Sequence, residues 1–69
     1  MTKVDAIKKA LVKNGGSATL QQLYKLTPNF KKDIKQATDW QAGLRGVLYR
    51  EVRNGRNFKR VNEAEYALI

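Results

Sequence analysis

The chain has 69 residues, of which 42% are hydrophobic, and its 14 Lys and Arg against 6 Asp and Glu leave a formal charge of +8. A chain this short supports one domain and one modest core, and that charge calls for a polyanionic partner. With neither cysteine nor histidine, disulfide staples, zinc or haem ligation and the imidazole base are excluded, and no metal or other cofactor is expected.

The first element is a helix. Thr2 followed by Asp5 forms a capping-box pattern, and Val4, Ile7 and Leu11 make one apolar stripe running to Asn14. Gly15-Gly16 ends it. The segment from Ser17 to Leu20 is suited to a brief extended stretch. Thr19 with Gln22 then opens a second helix through about Leu26, stopped by Pro28. An extra helical turn is expected over residues 30–36, with Phe30 and Ile34 as its inward pair. Thr38 with Gln41 repeats the capping signature ahead of a third helix from about Asp39 to Arg53, which Asn54-Gly55 breaks. The β-prone segments "NFKRV" and "EYALI" complete the chain, with the acidic stretch Asn62 to Glu65 between them. Val52, Phe58, Val61, Tyr66 and Leu68 join the earlier aliphatic residues as core candidates. No apolar run approaches the ~20 residues needed to span a membrane, and the reading is of a cytoplasmic or nucleoid-associated protein.

The cations are sorted by type along the chain. Eight lysines and no arginine precede position 44, whereas all five arginines, Arg45, Arg50, Arg53, Arg56 and Arg60, fall between 45 and 60, with Lys59 among them. Arginine's planar fork suits bidentate bonds to phosphate or guanine, and lysine acts as a flexible point charge. Lys3, Lys8, Lys9 and Lys13 read as a solvated helix face.

Three helices and a terminal two-stranded hairpin, with the basic bias in the last helix, follow the winged helix-turn-helix order, an α+β fold in which the third helix enters the major groove. The closing segments "LYREV" (Leu48 to Val52), "FKRV" (Phe58 to Val61) and "YAL" (Tyr66 to Leu68) resemble the end of the HARE-type winged helix domains attached to restriction endonucleases and chromatin proteins. The family pattern is roughly Leu-Tyr-Arg-acid-aliphatic, then Phe-x-Arg-Val, then aromatic-Ala-Leu. The chain departs from it in the longer link "PNFKKDIKQA" before the third helix. The resemblance implies a DNA-binding adaptor, in some members one that senses modified bases, and allows a covalently linked nuclease domain elsewhere.

On a helical wheel, residues 100° apart place Trp40, Leu44, Val47, Leu48, Glu51 and Val52 within a core-facing stripe about 140° wide. The opposite side carries Ala42, Gly46, Tyr49 and Arg53, flanked by Arg45 and Arg50. Ala42 and Gly46 thereby make a strip nearly free of side chain, which suits close approach to a groove floor, although Gly46 is also tolerable as a plain helix residue at a cost of about 1 kcal/mol. Gly43 lies on the flank, where packing against the first or second helix explains it. Trp40 is suited to base stacking or to the core, the stripe favouring the core. Gln41 is suited either to pair with adenine N6 and N7 or to bond the backbone in the capping box. Tyr49 is placed for phosphate or for the hairpin. The acidic pair Glu63 and Glu65 directs the hairpin base, Lys59 and Arg60, rather than its tip, to DNA.

The expected function is double-stranded DNA binding, with DNA-binding candidates Gln41, Ala42, Arg45, Gly46, Tyr49, Arg50, Arg53, Arg56, Lys59 and Arg60. The competing class is a protein-protein interaction module on the same scaffold. RNA binding is disfavoured by the lack of an outward aromatic pair for stacking. No enzyme is expected, since the only serine is Ser17 and no nucleophile-base pair, phosphate-cradling loop or carboxylate cluster is visible.

Overall fold

The first helix, α1 (Lys3–Lys13), begins where the sequence signals it. In the computed structural model, which describes all residues from Met1 to Ile69, the Thr2 hydroxyl accepts from the Asp5 backbone N–H at 3.1 Å and the Asp5 carboxylate accepts from the Thr2 N–H at 3.3 Å. Ala6, Ile7, Ala10 and Leu11 are buried on one face. The helix ends at Asn14, and Gly16 at φ +103° donates back to the Leu11 carbonyl at 2.7 Å. That backbone conformation is open to glycine and strained for other residues.

The brief extended segment forms as strand β1 (Ser17–Thr19). Thr19 also caps α2 (Leu20–Leu26), in a second complete capping box with Gln22. The α-helix ends at Leu26, two residues before Pro28, as expected. The chain tightens into a 3₁₀ turn over Thr27–Asn29, where the missing proline N–H is tolerated, and a further 3₁₀ turn spans Lys32–Gln36. The turn expected over residues 30–36 is therefore shorter and leaves Phe30 outside it, at the end of the first 3₁₀ turn. Ile34 is buried and Phe30 half-buried against the core, each brought there by the path of the chain rather than by a shared helical face.

The third capping box does not form. Helix α3 (Trp40–Arg53) is preceded by Asp39 at φ −105°, ψ 36°, with no side-chain bond at its cap. Thr2 and Thr19, which do cap, hold extended ψ values of 166° and 163°. The turn at Asp39 therefore points the chain away from cap geometry, and Thr38 lies one residue outside it.

Strands β2 (Phe58–Asn62) and β3 (Glu65–Leu68) form the terminal hairpin. The sheet has three strands rather than the two expected, because β1 pairs antiparallel with β3 to give the order β1-β3-β2. The Leu20 N–H also donates to the Ala64 carbonyl at 2.8 Å, fastening the hairpin turn to the start of α2. Val61 is not a core residue: it is 48% exposed. Phe58 is the one buried residue of β2, and alternation puts Val61, three positions on, on the opposite face beside a register shift between Arg60 and Asn62. One apolar cluster unites Ile7, Leu11, Leu23, Ile34, Leu44, Leu48, Phe58 and Tyr66, drawing on all three helices and the sheet. No helix is long and apolar enough to cross a membrane.

Candidate nucleic-acid interface

Helix α3 buries Leu44, Leu48 and Glu51 and turns Gln41, Ala42, Gly46, Tyr49, Arg50 and Arg53 outward. The two-sided pattern follows from 3.6-residue periodicity. Nothing lies within 4 Å of where a Gly46 Cβ would be, so the Ala42–Gly46 strip is open. Gly43 differs: a Cβ there would meet the Lys3 Nζ at 3.2 Å, so this glycine faces the start of α1. Its neighbour is the flexible tip of a lysine rather than backbone. Gln41, released from capping by the geometry at Asp39, is exposed in the first turn.

The arginines fall into distinct environments. Arg45 is half-buried and donates from Nη1 to the Tyr24 hydroxyl on α2 at 2.8 Å. That bond favours the charged guanidinium and pushes its pKa up from an already high value. Tyr24 is in turn edge-on to Trp40, with ring centroids 5.8 Å apart, and the Lys35 ammonium sits 5.8 Å over the Trp40 ring. Trp40 is therefore half-buried against the core, and its aromatic contacts are already taken up within the chain.

Glu51, 5% exposed, is the hub of a second set. Its carboxylate accepts from Asn57 Nδ2 at 2.6 Å and from Arg56 Nη2 at 3.2 Å, and Arg50 Nε stands 3.7 Å away. Arg56 and Arg50 are thus partly neutralised, whereas Arg53 is exposed and makes no ion pair. The Asn57 bond also holds this residue at φ +66°, a left-handed conformation that asparagine accepts more readily than most. The link from α3 to β2 is fixed by this cluster.

Between α3 and the hairpin lies a cleft of about 440 Å³, with Tyr49 and Arg53 on one wall and Arg60, Glu63 and Tyr66 on the other. Tyr49 is 45% exposed while its ring lies 6.4 Å from that of Tyr66, so it both packs on the hairpin and faces outward. Burial, reinforced by the adjacent Tyr49, pushes the Tyr66 phenol pKa up and keeps it neutral. Arg60 Nε donates to the Asn62 carbonyl at 3.3 Å. Lys59 and Arg60, paired by the sequence reading, separate: successive strand residues point to opposite faces, and only Arg60 lines the cleft. Glu63 reaches the same cleft, so the acidic tip is not remote from the cationic wall.

The structure thus brings Tyr49, Arg53 and Arg60 together at the cleft and leaves Gln41, Ala42, Gly46 and Arg50 exposed along α3, whereas Arg45 is turned to Tyr24, Arg56 to Glu51, and Lys59 to the far side of β2. Tyr24 was missed by sequence reasoning, because a contact spanning 21 positions leaves no local spacing to find. No protein-family model, curated protein or solved structure matches the chain.

Proposed function

We propose that the protein is a winged-helix domain of HARE type that binds double-stranded DNA, with α3 in the major groove and the hairpin beside it as the wing. The observation that carries this reading is the open strip Ala42–Gly46 on the outer face of α3, bordered by Arg45, Arg50 and Arg53. A groove about 12 Å wide admits a helix, and a strip without bulky side chains lets its backbone sit close to the base edges. In this arrangement Gln41 and Arg45, toward the helix N-terminus, meet bases. Arg50, Arg53 and Arg60 meet phosphate, with Tyr49 able to add a hydroxyl. Lys59 contributes charge from the far face of the wing. The domain performs no chemistry itself and serves as an adaptor, free-standing or fused to a nuclease.

Titration against random, methylated and unmethylated duplexes at two salt concentrations tests the proposal. Binding that weakens steeply with salt supports it, and a difference between methylated and unmethylated duplexes identifies a modification reader. Salt-insensitive or absent duplex binding favours a protein-docking module on the same scaffold.

A further inference from the structure

We propose that the outer face of α1 docks an acidic segment of a protein partner that inserts an apolar side chain. The face carries a hollow of about 350 Å³ bounded by Lys8, Lys9, Val12, Lys13 and Phe30. Its floor is carbon: the Val12 isopropyl group, the half-buried Phe30 ring and the methylene stems of the lysines. Val12 is 65% exposed, more than any other large apolar side chain away from the chain ends. The rim is cationic, and none of its three ammonium groups forms an ion pair within the chain.

Both features work against the isolated helix. Lys9 and Lys13 are like charges four residues apart, and Val12 is a β-branched residue that gains little burial in return for its restricted rotamer. An occupant with carboxylates around an aromatic or aliphatic side chain answers both at once. A second copy of the chain is a poor occupant, since two molecules of charge +8 repel. Duplex DNA is less suited as well: phosphates satisfy the lysines but leave Val12 and Phe30 without an apolar partner. The hollow shares no residue with the α3–hairpin surface, so the two proposals stand or fall separately.

The test is an NMR titration of the isotope-labelled protein with a short synthetic peptide of glutamates carrying leucine and phenylalanine at helical spacing. A peptide of equal charge with the apolar residues replaced by serine and glycine is the control, and a random duplex is the competitor. Saturable shifts are expected at Lys8 to Lys13 and Phe30, with the control peptide binding at least roughly tenfold more weakly. Val12→Ser, which alters an exposed position, is expected to weaken the apolar peptide by a similar factor while leaving duplex affinity unchanged. Equal binding of both peptides, shifts confined to α3 and the hairpin, displacement from α1 by duplex, or an unaffected Val12→Ser variant would each overturn the proposal.

Discussion

The Arg45 guanidinium on α3 donates a 2.8 Å hydrogen bond to the Tyr24 hydroxyl on α2, which fixes the side chain at the edge of the outward strip. Arginine has five N–H donors, so the bond leaves most of the fork available while reducing the conformational freedom lost on binding. Under the proposed docking, Arg45 reads guanine through O6 and N7. Arg45→Lys keeps the charge, loses the fork, and is expected to relax preference at one base position by roughly tenfold while nonspecific affinity stays nearly intact. Tyr24→Phe preserves the edge contact with Trp40 but removes the anchor, and is expected to relax the same position by a smaller factor. Competition binding over a randomised duplex library measures both; full base preference in Arg45→Lys removes this residue from base reading.

Gly46 and Gly43 separate two reasons for glycine in one helix. A Cβ at Gly46 meets nothing within 4 Å, and leucine has the higher helix propensity, so Gly46→Leu is expected to stabilise the fold by about 1 kcal/mol. The same leucine stands where DNA must approach, and duplex affinity is expected to fall at least roughly tenfold. Gly43→Ala displaces only the Lys3 tip and is expected to leave affinity unchanged. Thermal melting together with duplex titration distinguishes them. A Gly46→Leu variant that binds as tightly as the parent rules out close approach along this strip.

These contrasts show what kind of information the linear sequence holds. Thr2–Asp5 and Thr19–Gln22 were legible because a capping box is written in three-residue spacing and closes on itself. The inward face of α3 was legible for the same reason, down to the burial of Glu51. Thr38–Gln41 carries the same pattern and fails, because α3 begins one residue later than that box requires and puts Asp39 rather than Thr38 at the cap, a consequence of path rather than of residue type. The pairing of β1 with β3 and the bond from Tyr24 to Arg45 join residues distant in sequence, and no local period encodes them. Val61 misled because a β-branched residue in a strand looks buried until the inward face is known, and Phe58 alone sets that face.

Glu51 holds the link between α3 and the hairpin through Asn57 at 2.6 Å and Arg56 at 3.2 Å. Glu51→Ala leaves both donors without their acceptor and opens space beneath the loop, and a loss of about 1–3 kcal/mol is expected. Glu51→Gln retains an acceptor for Asn57 and is expected to lose less. Urea denaturation gives the ordering directly. If Glu51→Ala unfolds at the parent's midpoint, the cluster does not stabilise the link.

The capping box of α1 responds to acid. The Thr2 backbone N–H, and after it the Thr2 hydroxyl, hold the Asp5 carboxyl below its ordinary value of 3.8. Because the folded pKa lies below the unfolded one, this contribution to stability is present above pH 3.8 and is lost as pH falls through the lowered folded value. The Asp5 carboxyl carbon followed by NMR is expected to titrate below 3.8, with the first turn of α1 loosening over the same range. Asp5→Asn is expected to abolish that transition. A midpoint at or above the ordinary value would show that the capping bonds do not persist in solution.

Salt dependence tests the division of labour among the arginines. With Arg50, Arg53 and Arg60 on phosphate under the proposed docking, log K against log salt is expected to fall with a slope of about −3, at roughly −0.9 per contact, and more steeply if Lys59 and Arg56 also engage. Arg53 is exposed and unpaired, so its full charge is available to DNA. Arg53→Ala is expected to weaken all sequences alike and to reduce the slope by about one. Arg56 shares its charge with the buried Glu51 carboxylate at 3.2 Å, so Arg56→Ala is expected to change the slope by less. The comparison also separates contact from bulk charge, since each variant removes one positive charge from the same +8. Equal slopes for the two variants would mean that net charge, rather than the placement of free guanidinium groups along α3, governs binding. A parent slope near zero would exclude a phosphate-dominated interface altogether.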